Sequence, residues 1–357
     1  MKRGPRKREG NGVLKLLQPA RLQKGDKVAT VSLSWGAAGD EEIRWRYEQG
    51  KRRIEEVFGL EVVEMPHTLS PPDEVYRHPE KRAADFMAAF ADPSIKAIIS
   101  CIGGNDSIRM LPYIDFELIR ANPKIFTGYS DSTVAHLICL KAGLSSFYGV
   151  SVLNDFAENG RMHPYTAKWI ETVLFSGTPV GPIPVAPEWT GEWLEWTVAN
   201  KEKRRTYKPN HDYEVVQGEG VVQGPLIGGC FEVLEILKGT PLFPAPSQFD
   251  GAILFLETSE VHAPEWLLED GLRQYGVCGI LERLSGILFA KPQNGRFYKE
   301  YKHVIKKVLA EFNCGQLPVL YNASFGHNEP KCLLPYGARG EINANNGTFA
   351  ILEPGVR

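Results

Sequence analysis

The sequence predicts an α/β protein: a mostly parallel sheet with helices on both faces, followed by a second, smaller α/β part. Three observations carry this. From Leu16 onward, short β-branched runs alternate with stretches of helical periodicity, the pattern of parallel strands joined by crossover helices. The length of 357 residues exceeds what one hydrophobic core usually organises and favours two domains. Between residues 178 and 224 the texture changes to prolines, three tryptophans and a charged run, and regular alternation resumes afterwards. The expected organisation is a basic tail at 1–14, an α/β domain at 15–177, a linker with an aromatic loop at 178–224 and a second α/β domain at 225–357.

The elements follow in order. Residues 27–34 (KVATVSLS), after the turn Lys24-Gly25-Asp26, predict the first strand. Residues 41–58 place apolar positions at helical spacing, and Gly59 suits the helix end. Residues 61–64 predict a strand. Residues 79–90 predict a helix whose Pro79 sits where a missing N–H costs nothing. Residues 97–101 (AIISC) predict a strand running into Gly103-Gly104. A helix over 110–122, a strand over 124–129 and a helix over 132–141 complete the first part. The stretch 178–224 is expected to be a linker plus an excursion and not a packed element. Beyond it, 251–257, 286–290 and 318–321 predict strands, 264–275 and 298–312 predict helices, and 347–352 predicts a short β-rich end.

Composition excludes several classes. With 43% hydrophobic and 10% aromatic residues and a formal charge of −2, the chain can bury a core and is not predominantly disordered. The near-neutral balance gives no electrostatic reason to expect nucleic acid as a partner. The longest apolar runs, such as 86–91 and 252–256, fall far short of the roughly 20 residues of a membrane span. The basic start has no apolar segment behind it, so no secretory signal is expected. Cysteines at 101, 139, 230, 278, 314 and 332 include no C-x-x-C pair; most lie in apolar segments and predict buried free thiols of a reducing compartment. A cytoplasmic location is expected. Gly-x-Gly-x-x-Gly and P-loop patterns are absent.

The sharpest feature is residues 124–132, KIFTGYSDS. An apolar strand breaks at Gly128, presents Tyr129-Ser130-Asp131 and enters a helix at once. A serine on such a corner stands at the carboxyl end of a strand, where α/β sheets bind ligands. The helix start supplies backbone N–H groups for a developing oxyanion. The pattern is Gly-x-Ser-x-Ser, only a partial match to the nucleophile elbow of α/β-hydrolases. The alternative is that Ser130 or Asp131 caps the helix. A second strand end, Cys101-Ile102-Gly103-Gly104-Asn105-Asp106, either brings backbone close to a ligand or makes a tight turn.

A serine nucleophile needs a base. His136 lies inside the following helix and is expected to pack. His67, His78, His163, His211, His262 and His303 sit in polar or loop contexts and are expected at the surface. His327, in Gly326-His327-Asn328-Glu329-Pro330 after a strand, is either the base or a solvated loop histidine. Glu257 ends the most apolar strand of the second part, where an unpartnered carboxylate would be costly. Ser130, Glu257 and His327 thus sit at three strand ends, in a chain order that triads use.

Taken together, these residues resemble the serine peptidases that include the murein LD-carboxypeptidases and the microcin C immunity protein. The resemblance runs through Leu22-x-x-Gly25-Asp26-x-Val28-Ala29-x-Val31-Ser32, the paired glycines, Gly128-Tyr129-Ser130-Asp131, Phe255-Leu256-Glu257 and Gly326-His327. It implies an N-terminal Rossmann-like domain, a smaller C-terminal mixed α/β domain and a homodimer. It implies Ser130 as nucleophile, His327 as general base and Glu257 as the acid that orients it. The implied oxyanion hole uses backbone N–H groups of Asp131 and the Gly103-Gly104 loop. Gly103, Asn105, Trp189, Trp193 and Cys230 are the expected substrate contacts, with no metal or cofactor implied.

Within that family the chain leans to the immunity branch. Ile102 stands where LD-carboxypeptidases typically carry arginine before the paired glycines. Residues 188–196, with Trp189, Trp193 and Trp196, resemble the branch's aromatic loop that stacks on the nucleotide part of a substrate; one packed helical face is the alternative. Lys201, Lys203, Arg204 and Arg205 nearby are expected to attract a phosphate. Cys230 stands where the branch commonly has asparagine, and Val261 falls in a stretch without the expected lysine, so preference for an acidic aminoacyl group is expected to be weak. The expected function is a serine hydrolase cleaving an aminoacyl or peptidyl amide in the manner of the immunity branch. The alternatives are a murein tetrapeptide LD-carboxypeptidase and a non-catalytic ligand-binding homologue.

Overall fold

A computed structural model describes residues 14–357, so the tail expected over 1–14 lies outside the described residues apart from Leu14. Five strands of the first half are parallel: β1 (Lys27–Val31), β2 (Glu61–Glu64), β3 (Ile95–Ser100), β4 (Ile125–Gly128) and β5 (Phe147–Tyr148). Their order is β2-β1-β3-β4-β5. The connections carry α1 (Arg44–Phe58), α2 (Pro72–Arg77), α3 (Pro79–Ala91), α4 (Phe116–Ala121) and α5 (Thr133–Ala142), and α6 (Pro164–Ile170) follows β5. The winding reverses between β1 and β3. Open α/β sheets bind ligands beyond the carboxyl ends of their strands at such a reversal.

The second half builds a mixed sheet. Its members are β6 (Gly181–Pro182), β9 (Glu214–Gln217), β10 (Val221–Cys230), β11 (Ile253–Glu257), β12 (Gly286–Ala290), β13 (Val319–Ala323), β15 (Arg339–Asn343) and β16 (Thr348–Ile351), while β7 (Glu188–Trp189) and β8 (Lys208–Pro209) pair with each other. The order is β6-β16-β15-β10-β11-β12-β13-β9, with β10 to β13 parallel and the flanks antiparallel. Helices α7 (Phe231–Leu237), α8 (Glu265–Val277) and α9 (Tyr298–Glu311) follow β10, β11 and β12. One short strand, β14 (Leu334–Pro335), returns to the first sheet and lies antiparallel to β5. This is the α/β architecture the alternation predicts.

Three local readings differ from the structure. The helix expected over 110–122 is a 3-10 segment, Ser107–Tyr113, followed by α4. Pro112 lacks the N–H that a continuous helix needs, and Asp115 restarts the chain by accepting from Glu117 and Leu118 N–H. The stretch 178–224 is not a loose excursion, because β6 and β9 pair onto the edges of the second sheet. Finally, β10 was hidden by composition: three glycines and Pro225 in ten residues look like turns, yet both neighbours supply ladder partners.

A buried ionic cluster ties the halves together. Lys331, fully buried, pairs with Asp155 at 3.0 Å and Glu329 at 2.5 Å. Burial alone would favour the neutral amine, but Asp155 and Glu329 outweigh it and hold Lys331 charged. Arg205 pairs with Glu158 and stands 3.9 Å from Glu329. Replacing Lys331 with Met leaves two buried carboxylates without their cation. The expected loss is about 3–5 kcal/mol of unfolding free energy, read from the urea midpoint; a change below about 1 kcal/mol would show that the cluster does not hold the fold.

Candidate active site

Ser130 follows β4 by one residue and opens the short 3-10 turn Ser130–Ser132 that leads into α5. Its φ is +62°, a left-handed conformation that a non-glycine residue holds at a cost of about 1–3 kcal/mol. Three bonds offset that strain. Ser130 N–H donates to Tyr148 Oη at 3.1 Å, and Thr133 Oγ1 donates to the Ser130 carbonyl at 2.7 Å. The same Thr133 oxygen accepts from Cys230 N–H at 3.2 Å, fastening the turn to the end of β10. No side-chain capping bond is made at the starts of these two helical segments; Asp131 instead accepts from Ser107 N–H at 2.9 Å.

The glycine loop after β3 lies against this turn. A Cβ on Gly103 would fall 2.8 Å from Ser130 Cβ and 3.0 Å from Ser130 Oγ, so only glycine permits the approach. Gly104 packs on Ser34, whose Oγ accepts from Asn105 N–H at 3.0 Å. Buried Arg82 grips Asp106 at 2.8 Å and fixes the loop from behind.

Glu257 ends β11 and is fully buried. Its Oε2 meets His327 Nδ1 at 2.7 Å, and its Oε1 accepts from Tyr148 Oη at 2.5 Å. His327 stands on the loop after β13, edge-on to Tyr129 with ring centroids 5.0 Å apart. Gly326 has φ +84°, and a Cβ there would meet three Glu257 side-chain atoms at 2.7 Å. Asn328 clamps the other side, donating to the carbonyls of Lys291 and Pro292 and accepting from Asn294 N–H. Burial alone would depress the His327 pKa, but Glu257, Glu260 and Glu232 raise it to about 9. The second ring nitrogen, Nε2, faces Glu260 Oε2 at 3.3 Å.

Of the remaining histidines, His136 is buried in α5 between Ser146 Oγ and the Gly128 carbonyl, and burial pushes its pKa down to about 3. His163 is not a free surface group: Nδ1 caps α6 and Nε2 meets Glu188 at 3.1 Å. Cys230 is buried, and burial with Glu257 nearby pushes its thiol well above the usual range. It donates to Glu232 Oε2 at 3.3 Å. Cys230, Glu257 and His327 offer ligand atoms within 4.8 Å of one another. The carboxylate and imidazole are engaged with each other and the thiol is kept protonated, so this donor set does not suit a resident metal.

The tryptophan segment is neither a helix nor a single face. Trp189 lies in β7 with Lys291 at 4.6 Å and Lys208 at 5.4 Å from its ring. Trp193 is 65% exposed and contacts Trp196, which stacks on Trp35 at 6.0 Å and 13°. Trp35 follows β1 and its N–H donates to the Gly103 carbonyl. Thr190 and Glu329 exchange two backbone hydrogen bonds, joining this segment to the loop that carries His327. The basic run is partly engaged: Arg205 is half-buried and paired with Glu158.

Sequence reasoning did not single out Tyr148, Trp35, Glu232 or Glu260. Trp35 had a readable signal in an aromatic residue directly after a strand. Tyr148, in an ordinary apolar pair, had none.

Ser130 stands past the carboxyl end of β4, and His327, bound to Glu257, follows β13; among the described residues Ser130 Oγ makes no hydrogen bond to His327, and these are residue types that serine hydrolases use. Residues 28–149 match the LD-carboxypeptidase N-terminal domain and residues 223–342 the LD-carboxypeptidase C-terminal domain. The chain belongs to this S66 peptidase family. It is 30% identical over 343 residues to YocD of Bacillus subtilis, provisionally named a carboxypeptidase, covering 93% of this chain and 98% of YocD. It is 29% identical over 283 residues to the microcin C7 self-immunity protein MccF of Escherichia coli, covering 77% and 78%. The crystal structure of an MccF-like protein from Streptococcus pneumoniae in complex with AMP superposes with a TM-score of 0.84 at 29% identity, covering 92% of this chain and 98% of the other. MccF in complex with aspartyl sulfamoyl adenosine gives 0.81 at 27%, covering 96% and 100%. No helix among the described residues is long and apolar enough to cross a membrane.

Burial keeps the Tyr148 hydroxyl protonated, so it donates to Glu257 while accepting from Ser130 N–H. Tyr148→Phe removes both bonds and leaves a buried carboxylate short of a partner, a loss of about 1–3 kcal/mol. The expected result is a roughly 10- to 100-fold fall in kcat, with KM little changed and the fold intact by circular dichroism. An unchanged kcat would make Tyr148 a packing residue only.

Proposed function

We propose that the chain is a serine hydrolase of aminoacyl or peptidyl amides, with Ser130 as nucleophile, His327 as general base and Glu257 as the group that orients the imidazole. The observation that carries this reading is the strained Ser130, linked through Tyr148 to the buried Glu257–His327 pair. Ser130 Oγ attacks the amide carbonyl while His327 Nε2 takes its proton. Glu257 holds Nδ1–H and stabilises the imidazolium. The oxyanion accepts from backbone N–H groups of Asp131 and of the Gly103-Gly104 loop. The imidazolium then protonates the leaving amine, and water hydrolyses the acyl-enzyme by the same route. Retention of all three groups disfavours a non-catalytic binding protein.

Ser130→Ala deletes the attacking atom and little volume. Turnover is expected to fall about 10⁶-fold with the thermal midpoint near wild type; retained turnover overturns the assignment. His327 is neutral only as pH rises through its pKa, so kcat/KM is expected to climb with pH along a limb centred near 9. A flat profile from pH 6 to 10 would show that another group is the base.

For the substrate, we favour an aminoacyl nucleotide analogue over a murein tetrapeptide. The stack Trp35–Trp196, continued by exposed Trp193, begins beside the Gly103 loop and offers π-faces worth about 1–3 kcal/mol per base. The solved neighbours bind AMP and aspartyl sulfamoyl adenosine. Ile102 offers no charge to a terminal carboxylate. The family's LD-carboxypeptidase description keeps the murein reading as the second choice. A competition assay is expected to show faster cleavage of an aminoacyl sulfamoyl adenosine than of the tetrapeptide, with that advantage reduced about tenfold or more in Trp193→Ala. Faster tetrapeptide cleavage, indifferent to Trp193, reverses the choice.

A further inference from the structure

Beside the Glu257–His327 pair lies a carboxylate that the reaction scheme does not use. Glu260 follows β11 by three residues; its side chain is 69% exposed, yet its Oε2 reaches His327 Nε2 at 3.3 Å. Nδ1 is held by Glu257, so Nε2 is the nitrogen that must receive the Ser130 proton. Both ring nitrogens therefore face carboxylates. An imidazole in that position is held as imidazolium and cannot act as a base.

The surroundings make this arrangement lopsided. From α7, Glu232 adds negative charge; its pKa is raised by burial and then by Glu257, and it is anchored by N–H groups of Ser259 and Ala263. Cys230, at the end of β10, stays a neutral thiol. On the first-sheet side stands the buried, protonated Tyr129, with Lys331 4.0 Å over its ring and paired to Asp155 and Glu329. Beyond Glu260 are His262, whose pKa is lowered by burial and then by Arg296, and Arg296 itself. Neither forms an ion pair with Glu260 among the described residues. Among the described residues, no other side chain thus pairs with Glu260.

We propose that Glu260 is a positioning and specificity residue: in the substrate-free protein it latches His327 Nε2, and a cationic group on the acyl part of the substrate draws it away. This rests on the hydrolase reading above. With a nucleotide on the tryptophan step beside β1 and β3, the acyl part meets the second-sheet wall of Cys230, Glu232 and Glu260. An ammonium there pairs with Glu260, whose exposed side chain is free to turn. His327 then loses one carboxylate neighbour and releases its Nε2 proton to water. The neutral nitrogen turns to Ser130 Oγ. No bond other than N–H is broken, and the cation on the substrate replaces the cation on the imidazole.

Three sulfamoyl adenosines differing only in the aminoacyl side chain, lysyl, norleucyl and glutamyl, test this with wild type and Glu260→Gln. Wild type is expected to prefer lysyl over norleucyl about tenfold and to disfavour glutamyl. In Glu260→Gln the acid limb of kcat/KM falls by about one pH unit, so norleucyl cleavage at pH 7 rises about tenfold and the lysyl preference collapses. An NMR titration of the His327 imidazole in the free proteins reads the same shift without any substrate. A Glu260 that only shapes its loop would leave that titration and the side-chain preference where they are, and either unchanged result overturns the proposal. Ser130→Ala separates the two readings: retained turnover there defeats Ser130 as the nucleophile, while the His327 titration still decides whether Glu260 latches the ring.

Discussion

The site hangs on one oxygen atom. Tyr148 Oη accepts from the N–H of Ser130 and donates to Glu257, so a single hydroxyl spans from the elbow of the first sheet to the acid of the second. A phenol buried between two sheets keeps its proton and therefore has one direction in which to donate. That fixes which side accepts and which is given a bond. If β5 slipped against β4 by one residue, Tyr148 would face the opposite side of the sheet, and both bonds would be lost. Strand β14, antiparallel to β5 with Leu334 opposite Tyr148, closes that edge with chain from the second half.

Such a site is costly to assemble. It contains a left-handed serine, a fully buried carboxylate and two loops of close backbone approach. Close to it lies the cluster of Lys331, Asp155, Glu329, Arg205 and Glu158. Pairs of this kind add little net stability compared with apolar packing, but removing one partner is severe. Their effect is therefore on position. Lys331 and Glu329 belong to the loop of His327, Asp155 and Glu158 to the segment after β5, and Arg205 to the aromatic excursion. The cluster joins the three pieces of chain whose relative placement the chemistry needs.

Much of this was legible in the sequence. The β/α alternation announced the first sheet because parallel strands buried on both faces read as continuous apolar runs. Ser130, Glu257 and His327 stood out because each is a polar residue at the end of an apolar strand. What stayed hidden depended on distant partners. The lengths of β10 and the pairing of β6 and β9 are set by neighbours far along the chain, and glycines and prolines masked them. Tyr148 sits in a two-residue strand, and nothing local separates a tyrosine that packs from one that bridges two sheets. Arg205 was expected to attract a phosphate because its partner Glu158, 47 positions away, could not be read locally.

The division of labour follows from where the groups come from. On the proposed reading, the chemistry comes from Glu257 at the end of β11 and from Ser130 and His327 on the turns that follow β4 and β13. The surfaces that would choose a substrate come from elsewhere: Trp193 and Trp196 from the excursion, Trp35 from the loop after β1, Glu260 from the loop after β11. Loops tolerate substitution better than buried strand ends do. On the proposed reading, leaving-group and acyl-group contacts come from different segments, so what is cleaved could change without disturbing how it is cleaved. Glu260 is the exception. It is exposed enough to meet a substrate and close enough to His327 to alter its protonation, so at that one residue selection and chemistry are the same electrostatic event.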